Sequence, residues 1–174
     1  MIRRLSTIFA KLVASALLAT LVISPASAQE ADDHAAPQMI EYLTLDTLQE
    51  VVALGGYSVL RTDKDEKLLT IRRDLYPDFN IVLEDCVYLG CRSILVARAD
   101  GELAGLPPRI LNEANLRFVK THVIEFGPER AIAYRRFISL EGGTTVKHLL
   151  IQLFAFDAGI IVAAEHLREG LAEN

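Results

Sequence analysis

The chain has 174 residues, of which 18 are Lys or Arg and 23 are Asp or Glu, so its formal net charge is −5. Such an acidic balance argues against binding to nucleic acid or anionic lipid, because both are held mainly by Lys and Arg against phosphate. The length suits a single domain with a substantial hydrophobic core.

The N-terminus has the pattern of a secretory signal peptide. Three basic residues come first, an apolar run at residues 12–23 follows, and Ala26, Ser27 and Ala28 supply small residues for cleavage. A retained membrane anchor is the alternative, but it needs about 20 apolar residues. We therefore expect residues 1–28 to be removed after Ala28, leaving a periplasmic or secreted protein that is not held at the membrane.

The remaining chain of 146 residues has 15 basic and 23 acidic residues, a net charge of −8. Residues 29–41 begin with an acidic, apolar-poor stretch and are predicted to be a flexible tail. Residues 42–174 are predicted to be one domain. Its first element is a helix at residues 44–54, where apolar residues recur at helical spacing until Gly55 and Gly56 end it.

Four strand-like runs follow this helix, at residues 57–61, 68–72, 79–86 and 93–99. The first two are joined by the polar turn at 63–67. That turn resembles the start of a calcium loop, but Lys67 stands where the third acidic ligand belongs, so no metal site is predicted.

Cys86 and Cys91 are the only cysteines and flank a predicted turn at residues 87–90. An exported protein meets oxidising conditions, and cysteines that face each other across a hairpin can reach disulfide geometry. A structural disulfide is therefore favoured. Free thiols, or redox or metal chemistry, remain as alternatives, although the C-x4-C spacing is not that of redox enzymes.

The second half of the domain repeats the alternation of helix and strands. A helix begins at Pro107 and Pro108, two strands follow at 118–124 and 131–140, and a long helix covers residues 144–171. The predicted order is α-β-β-β-β-α-β-β-α. Short connections between successive strands predict an α+β fold, an antiparallel sheet with helices packed on one face.

The last helix is apolar around most of its circumference, so we expect it to be buried on more than one side, against the sheet and against a further segment or subunit. Asp157 interrupts its main apolar stripe. It is expected either to pair with a basic residue such as Arg136 or to mark a kink. Phe154, Asp157 and Ile161 are the residues predicted to contribute to an interaction surface.

Several short motifs occur in an order that resembles a known family. They are Gly56-Tyr57, the two cysteines, the run Asn112-Glu113-Ala114-Asn115, and Gly142-Gly143 before the last helix. This series is similar to that of the YbjN-like family of bacterial sensory transduction regulators. Ala114 departs from the pattern, because the family has Trp at that position.

The resemblance implies a fold like that of the type III secretion chaperones, which are α+β proteins that dimerise and bind extended polypeptide. It implies no catalytic residue and no cofactor. From their chemistry alone, Asn112 and Asn115 favour a local structural role over a ligand site, and Gly142 and Gly143 favour a tight turn before a Thr cap over an anion cradle.

The leading hypothesis is therefore an exported, non-catalytic binding or regulatory protein, a homodimer that acts on a protein partner. A small-ligand sensor with its site near Asp157 is the second hypothesis. A cysteine-dependent enzyme is a remote third, because the sequence contains no set of nucleophile, base and oxyanion donors.

Overall fold

In the computed structural model, residues 39–118 and 121–172 are described, and they form an α+β domain around a six-stranded antiparallel sheet. The elements in chain order are β1 (Met39–Ile40), α1 (Leu45–Leu54), β2 (Ser58–Asp63), β3 (Leu68–Arg72), β4 (Phe79–Val87), β5 (Gly90–Asp100), a short 3-10 helix (Gly101–Leu103), α2 (Pro108–Arg117), β6 (His122–Phe126), β7 (Ala131–Ser139), β8 (Thr144–Thr145) and α3 (Val146–Ala172). The predicted signal peptide and most of the predicted tail lie outside the described residues.

The main sheet has the strand order β2-β3-β4-β5-β7-β6, and every neighbouring pair is antiparallel. Burial alternates along its central strands. In β4, Phe79, Ile81 and Leu83 are buried, whereas Asn80 and Val82 between them are only partly buried. Because successive side chains of a strand point to opposite faces, the helices cover one face of the sheet. The predicted fold class is confirmed.

The first helix starts where local hydrogen bonding allows it. The Thr44 hydroxyl accepts a hydrogen bond from the backbone N–H of Thr47, and the Thr47 hydroxyl accepts one from the backbone N–H of Thr44. This reciprocal arrangement is a capping box, which satisfies N–H groups that the first turn of a helix leaves unpaired. Leu48, Val51 and Val52 then bury one side of α1.

A second, two-stranded sheet was not predicted. Met39 and Ile40, two residues of the predicted tail, form β1 and pair with Thr145 and Thr144 of β8. The long helix correspondingly begins at Val146 and not at residue 144. Two-residue strands carry no hydrophobic periodicity, and the pairing joins segments about a hundred residues apart, so no local pattern signals them.

The strand predicted at residues 118–124 begins only at His122. The backbone N–H of Phe118 donates to the carbonyl of Ala114, which continues the helical hydrogen bonding of α2. Thr121 then closes a turn onto the Phe118 carbonyl. The apolar Phe118 belongs to the end of a helix because of its tertiary packing against the core.

In the single chain α3 is buried on one side, not on two. Its buried residues lie one, three or four positions apart, which places them on one side of the helix: Leu149, Leu153, Phe156, Asp157, Ile160, Ala163, Ala164 and Leu167. The opposite side contains Ile151 and Val162, whose exposed fractions are 50% and 49%. By length and composition α3 could span a membrane, but one third of its most apolar window is buried inside the domain.

Candidate functional site

Asp157 lies at the centre of a buried polar cluster beneath α3. Only 1% of the residue is exposed. The Tyr57 hydroxyl donates a hydrogen bond of 3.2 Å to Asp157 Oδ2, and Arg73 Nη2 lies 3.5 Å from the same oxygen. Arg73 is therefore the basic partner, and the prediction that named Arg136 is wrong. Asp157 lies within one unbroken helix, so the alternative of a break at this position is not needed.

Aromatic rings enclose the Arg73 guanidinium. Its central carbon lies 4.5 Å from the ring centre of Phe154, 4.6 Å from that of Tyr76 and 5.5 Å from that of Tyr57. These distances fall within the range of cation–π attraction. The rings of Tyr57 and Phe154 also stack, 5.8 Å apart. The Arg73 guanidinium is therefore in contact with one carboxylate and three aromatic rings, all of which belong to its own chain.

Burial dominates the electrostatics of this cluster. It raises the pKa of Asp157, and the nearby Arg73 charge and the Tyr57 hydrogen bond oppose that shift. Burial also raises the pKa of Tyr57, and the negative charge of Asp157 adds to the effect. Asp157 Oδ1 has no hydrogen-bond partner among the described residues. In this cluster Tyr57 and Arg73 therefore satisfy one oxygen of the buried carboxylate, Oδ2, and leave the other, Oδ1, without a partner among the described residues.

Arg136 faces α3 from β7 in a different environment. One of its terminal nitrogens, Nη2, donates to Gln152 Oε1, and Gln152 in turn contacts His148 at 2.9 Å. The other terminal nitrogen, Nη1, is buried and has no partner among the described residues. Burial lowers the pKa of Arg136. The hydrogen-bond partner that the structure gives this arginine, Gln152, is neutral.

Another buried polar group lies near the end of β5. The Tyr134 hydroxyl is buried with no described partner, and burial, aided by the charge of Asp100, raises the pKa of Tyr134 to about 12. Asp100 accepts the backbone N–H of Glu102 at 3.1 Å and lies 3.9 Å from Arg168. These contacts hold the 3-10 turn and α3 together, which is a structural role.

Cys86 and Cys91 form a disulfide with an S–S distance of 2.08 Å. They are paired residues of the β4–β5 hairpin, whose two-residue turn is Tyr88-Leu89. The base of this hairpin is also held by two backbone hydrogen bonds between Cys91 and Leu43, of 2.8 and 2.9 Å. Neither sulfur is a free thiol.

The tip beyond the disulfide is apolar and open to solvent. Tyr88 is fully exposed, and the exposed fractions of Val87 and Leu89 are 47% and 64%. We call Val87, Tyr88 and Leu89 the stapled tip. Large apolar side chains that project from a rigid base are typical of binding surfaces.

The residues of the family-like motif have local roles. Asn115 Nδ2 donates to the carbonyl of Val123, and Asn115 Oδ1 accepts the N–H of Val123, both at 2.7 Å, so this side chain ties α2 to β6. Asn112 is exposed, and Glu113 pairs with Arg109 one turn away on the surface. Ala114 is fully buried in the core.

Gly142 and Gly143 form the turn before β8. Both have positive φ, 82° and 83°, which residues with a Cβ rarely adopt. A Cβ at position 143 would also lie 2.6 Å from the terminal carbon of Met39. The pair therefore allows β8 to approach β1.

The predicted interaction surface of Phe154, Asp157 and Ile161 does not form one exposed patch. Asp157 is buried and Phe154 is half-buried against Arg73, whereas Ile161 is exposed to 38%. The apolar side of α3 that is open to solvent instead contains Ile151 and Val162. Helical spacing alone could not show which side faced the sheet.

No group of three or more His, Cys, Asp and Glu side chains within residues 39–118 and 121–172 could hold a metal ion. In the turn that resembles a calcium loop, Asp63 Oδ1 accepts the backbone N–H groups of Asp65 and Glu66. This carboxylate therefore stabilises its own turn.

Sequence reasoning missed Arg73 and the stapled tip. Arg73 and Tyr76 lie in a loop after β3, where no periodic pattern marks a buried role. The tip could have been noticed, because three large apolar residues between two cysteines are unusual in a hairpin turn, where polar residues and glycine dominate.

No family model matches the chain, and comparisons with curated proteins and with solved structures found no match.

Proposed function

We propose that this chain is an exported, non-catalytic binding protein of the YbjN-like kind, and that it engages a protein partner through the stapled tip. One observation carries the proposal, the exposure of Val87, Tyr88 and Leu89 on a disulfide-closed hairpin. Interfaces derive most of their binding energy from a few aromatic and aliphatic anchors that enter pockets on the partner.

The disulfide supports such a role because it limits the conformations of the tip before binding. A loop that is already ordered loses less conformational entropy when it enters a partner's pocket. Asp85 and Glu84 lie beside the tip, and Arg92 pairs with Asp85 at 3.0 Å. Acidic residues next to the tip disfavour an anionic membrane and favour a protein with a concave apolar pocket.

Site-specific photo-crosslinking in the native cells tests this proposal. A photoreactive phenylalanine analogue replaces Tyr88, and the matched control carries it at Leu75, which is fully exposed in another loop. We expect one recurrent protein adduct from position 88 and none from position 75.

A Tyr88→Ser variant completes the test. It should lose co-purification of the crosslinked protein while its melting temperature stays unchanged, because Tyr88 makes no buried contact. Equal adducts from both positions, or undiminished co-purification of Tyr88→Ser, would contradict the proposal.

The proposed protein is a homodimer, and the exposed side of α3 supports this part. Ile151, Ala155, Ala158 and Val162 recur at intervals of four, three and four, which is the spacing of a helix–helix contact stripe. Ala158 is exposed and Ala155 is half-buried, and both are small enough for close approach of two helices.

An antiparallel arrangement of two α3 helices makes this stripe self-complementary. It places Ile151 of one copy against Val162 of the other, and Ala155 of one copy against Ala158 of the other. The same register brings His148 near Glu165, whereas a parallel arrangement would place Glu165 against its own copy. The two-fold symmetry common in homodimers requires such a self-complementary surface.

Sedimentation equilibrium of Val162→Glu against the parent chain tests the dimer. We expect the parent to be a dimer and the variant a monomer. The matched control is Leu116→Glu, which makes the same change at an exposed leucine of α2 and should stay dimeric. A monomeric parent, or a dimer that Val162→Glu leaves intact, would exclude this arrangement.

A small-ligand sensor with its site near Asp157 is not proposed further. Arg73 and Tyr57 are internal partners of Asp157, and aromatic rings of the same chain enclose Arg73. A cysteine nucleophile is likewise not proposed, because both sulfurs are in the disulfide.

A further inference from the structure

A cavity of about 310 Å³ opens beside β7 at the place where β6 begins. The last pair between the two strands is His122 with Arg135, so Arg136 and Phe137 lie beyond it. Side chains from both faces of β7 can border a cavity at the edge of the strand. Seven residues line it: Leu95, Asn115, His122, Ile124, Arg135, Arg136 and Phe137.

Both arginines border this cavity although they are adjacent in a strand. Adjacent residues of a strand point to opposite faces, which argues that Arg135 and Arg136 cannot act on one anion. That argument applies to the middle of a sheet. At an open strand edge the two guanidinium groups border the same space.

The charged residues of the cavity wall are both cationic. They are Arg135 and Arg136, and none of the seven lining residues is acidic. Neither arginine forms an ion pair with a carboxylate among the described residues, and Arg136 Nη1 is buried without a partner. In a chain of net charge −8 after residue 28, two arginines without a carboxylate partner at one cavity are a specific feature. Arg136 is the more telling of the two, because buried charged groups are normally paired.

The remaining wall is apolar. Leu95 and Phe137 are cross-strand neighbours on the sheet face that carries no helix, and Ile124 lies on the adjacent strand. Phe137 is exposed to 59%, so its ring is free to contact a ligand. The volume lies at the small end of the range for ligand sites, roughly 300–1,000 Å³.

We propose that this cavity binds a small carboxylate that carries a short apolar chain or ring. The carboxylate pairs with Arg136 and Arg135, whose planar guanidinium groups match its two oxygens. The apolar body packs on Phe137, Leu95 and Ile124. The site is separate from the stapled tip and from Asp157, and it meets α3 only through the contact between Arg136 and Gln152, so it does not depend on a partner bound at the stapled tip.

Titration of the purified chain from residue 29 onward with sodium octanoate, followed by amide NMR shifts, tests the proposal. Two further probes separate charge recognition from apolar contact. Acetate has the carboxylate without the long hydrocarbon chain, and 1-octanol has the hydrocarbon chain without the charge. We expect saturable shifts centred on Phe137 and Ile124 with octanoate, and binding at least about tenfold weaker for each of the other probes. Binding should also weaken as sodium chloride is raised.

Substitutions assign the charge contact. Arg136→Gln should raise the dissociation constant for octanoate about tenfold or more. Because Arg136 also contacts Gln152, Arg135→Gln is the second variant, since that side chain is exposed and its loss does not threaten the fold. The matched control is Arg61→Gln, on β2 at the opposite edge of the sheet, which should bind octanoate as the parent does.

Three outcomes would overturn the proposal. Equal affinities for octanoate and 1-octanol would mean apolar adsorption without charge recognition. Shifts centred on the exposed side of α3 would place the ligand elsewhere. Unchanged affinity in both Arg136→Gln and Arg135→Gln would remove the arginines from the site.

Discussion

Arg73 and Arg136 both approach α3 from the side of the sheet, but their partners differ. Arg73 has the Asp157 carboxylate at 3.5 Å and three aromatic rings around it. Arg136 has a single neutral partner, Gln152, and borders a cavity. The same side chain is therefore a structural ion in one place and an unneutralised cation in the other. A polar group whose partner lies within the chain contributes to stability, and one whose partner is missing can recognise a ligand.

The largest expected effect follows from removing the arginine that has an internal partner. Arg73→Met should lower the free energy of unfolding by about 3 kcal/mol, because it leaves the Asp157 carboxylate buried without a cation. Arg136→Met should change it by less than about 1 kcal/mol, because it removes a neutral hydrogen bond and also a desolvated charge. Urea denaturation followed by circular dichroism measures both. Equal losses of unfolding free energy in the two variants would contradict the distinction between an arginine with an internal carboxylate partner and one without.

The disulfide and the stapled tip show a similar contrast. The two cysteines are bonded to each other within the chain, whereas the apolar side chains of the tip are exposed to solvent. Replacing both Cys86 and Cys91 by Ser should cost about 2 kcal/mol of unfolding free energy, the value expected for so short a closed loop. Tyr88→Ser should cost nothing measurable by the same assay. An intact mass of the parent that thiol alkylation without reductant does not change supports the disulfide, whereas two added alkyl groups would exclude it.

The two asparagines of the family-like motif are a matched pair. Asn115→Ala should destabilise the fold by about 1–2 kcal/mol, because it removes two hydrogen bonds to the backbone of Val123 and leaves those groups unpaired. Asn112→Ala, on the exposed side of the same helix, should stay within about 0.5 kcal/mol of the parent. Thermal unfolding of the two variants distinguishes them, and similar melting temperatures would contradict the assigned role of Asn115.

The smallest expected effect is a pH dependence from Asp157. Burial raises its pKa above the ordinary value of 3.8. A carboxyl group with a raised pKa holds its proton more tightly in the folded chain, so its contribution to stability is complete below the ordinary pKa and is lost as the pH rises through the raised one.

Asp157→Asn cannot ionise, so this part of the pH dependence should be absent from the variant. Urea denaturation of both proteins from about pH 4 to pH 7 measures the difference. The parent should lose stability relative to the variant as pH rises. A relative gain would mean that the Arg73 charge outweighs burial.

Much of the fold could be predicted because the core strands and helices have clear periodicity. The alternation through Phe79, Ile81 and Leu83 predicts a strand with one covered face, and the structure agrees. The boundary errors occur where local pattern is weak. Met39–Ile40 and Thr144–Thr145 are too short to show a period, and Phe118 is apolar whether it ends a helix or begins a strand.

The candidate sites were only partly predictable. Asp157 attracts attention because an acid inside an apolar helix stripe requires a partner. The identity of that partner, Arg73, depends on the path of a loop about eighty residues away. The cavity beside β7 could not be predicted, because the alternation rule places Arg135 and Arg136 on opposite faces of the strand and says nothing about where the neighbouring strand begins.

The amino-acid pattern alone predicts the α+β class, favours a disulfide between the two cysteines and gives the acidic balance that disfavours phosphate ligands. These properties follow from composition, spacing and period, which are local. The three-dimensional packing, in contrast, selects the side of α3 that faces the sheet, the arginine that pairs with Asp157 and the arginine that borders a cavity. Those outcomes depend on contacts between distant segments, and the packing of the whole core selects them.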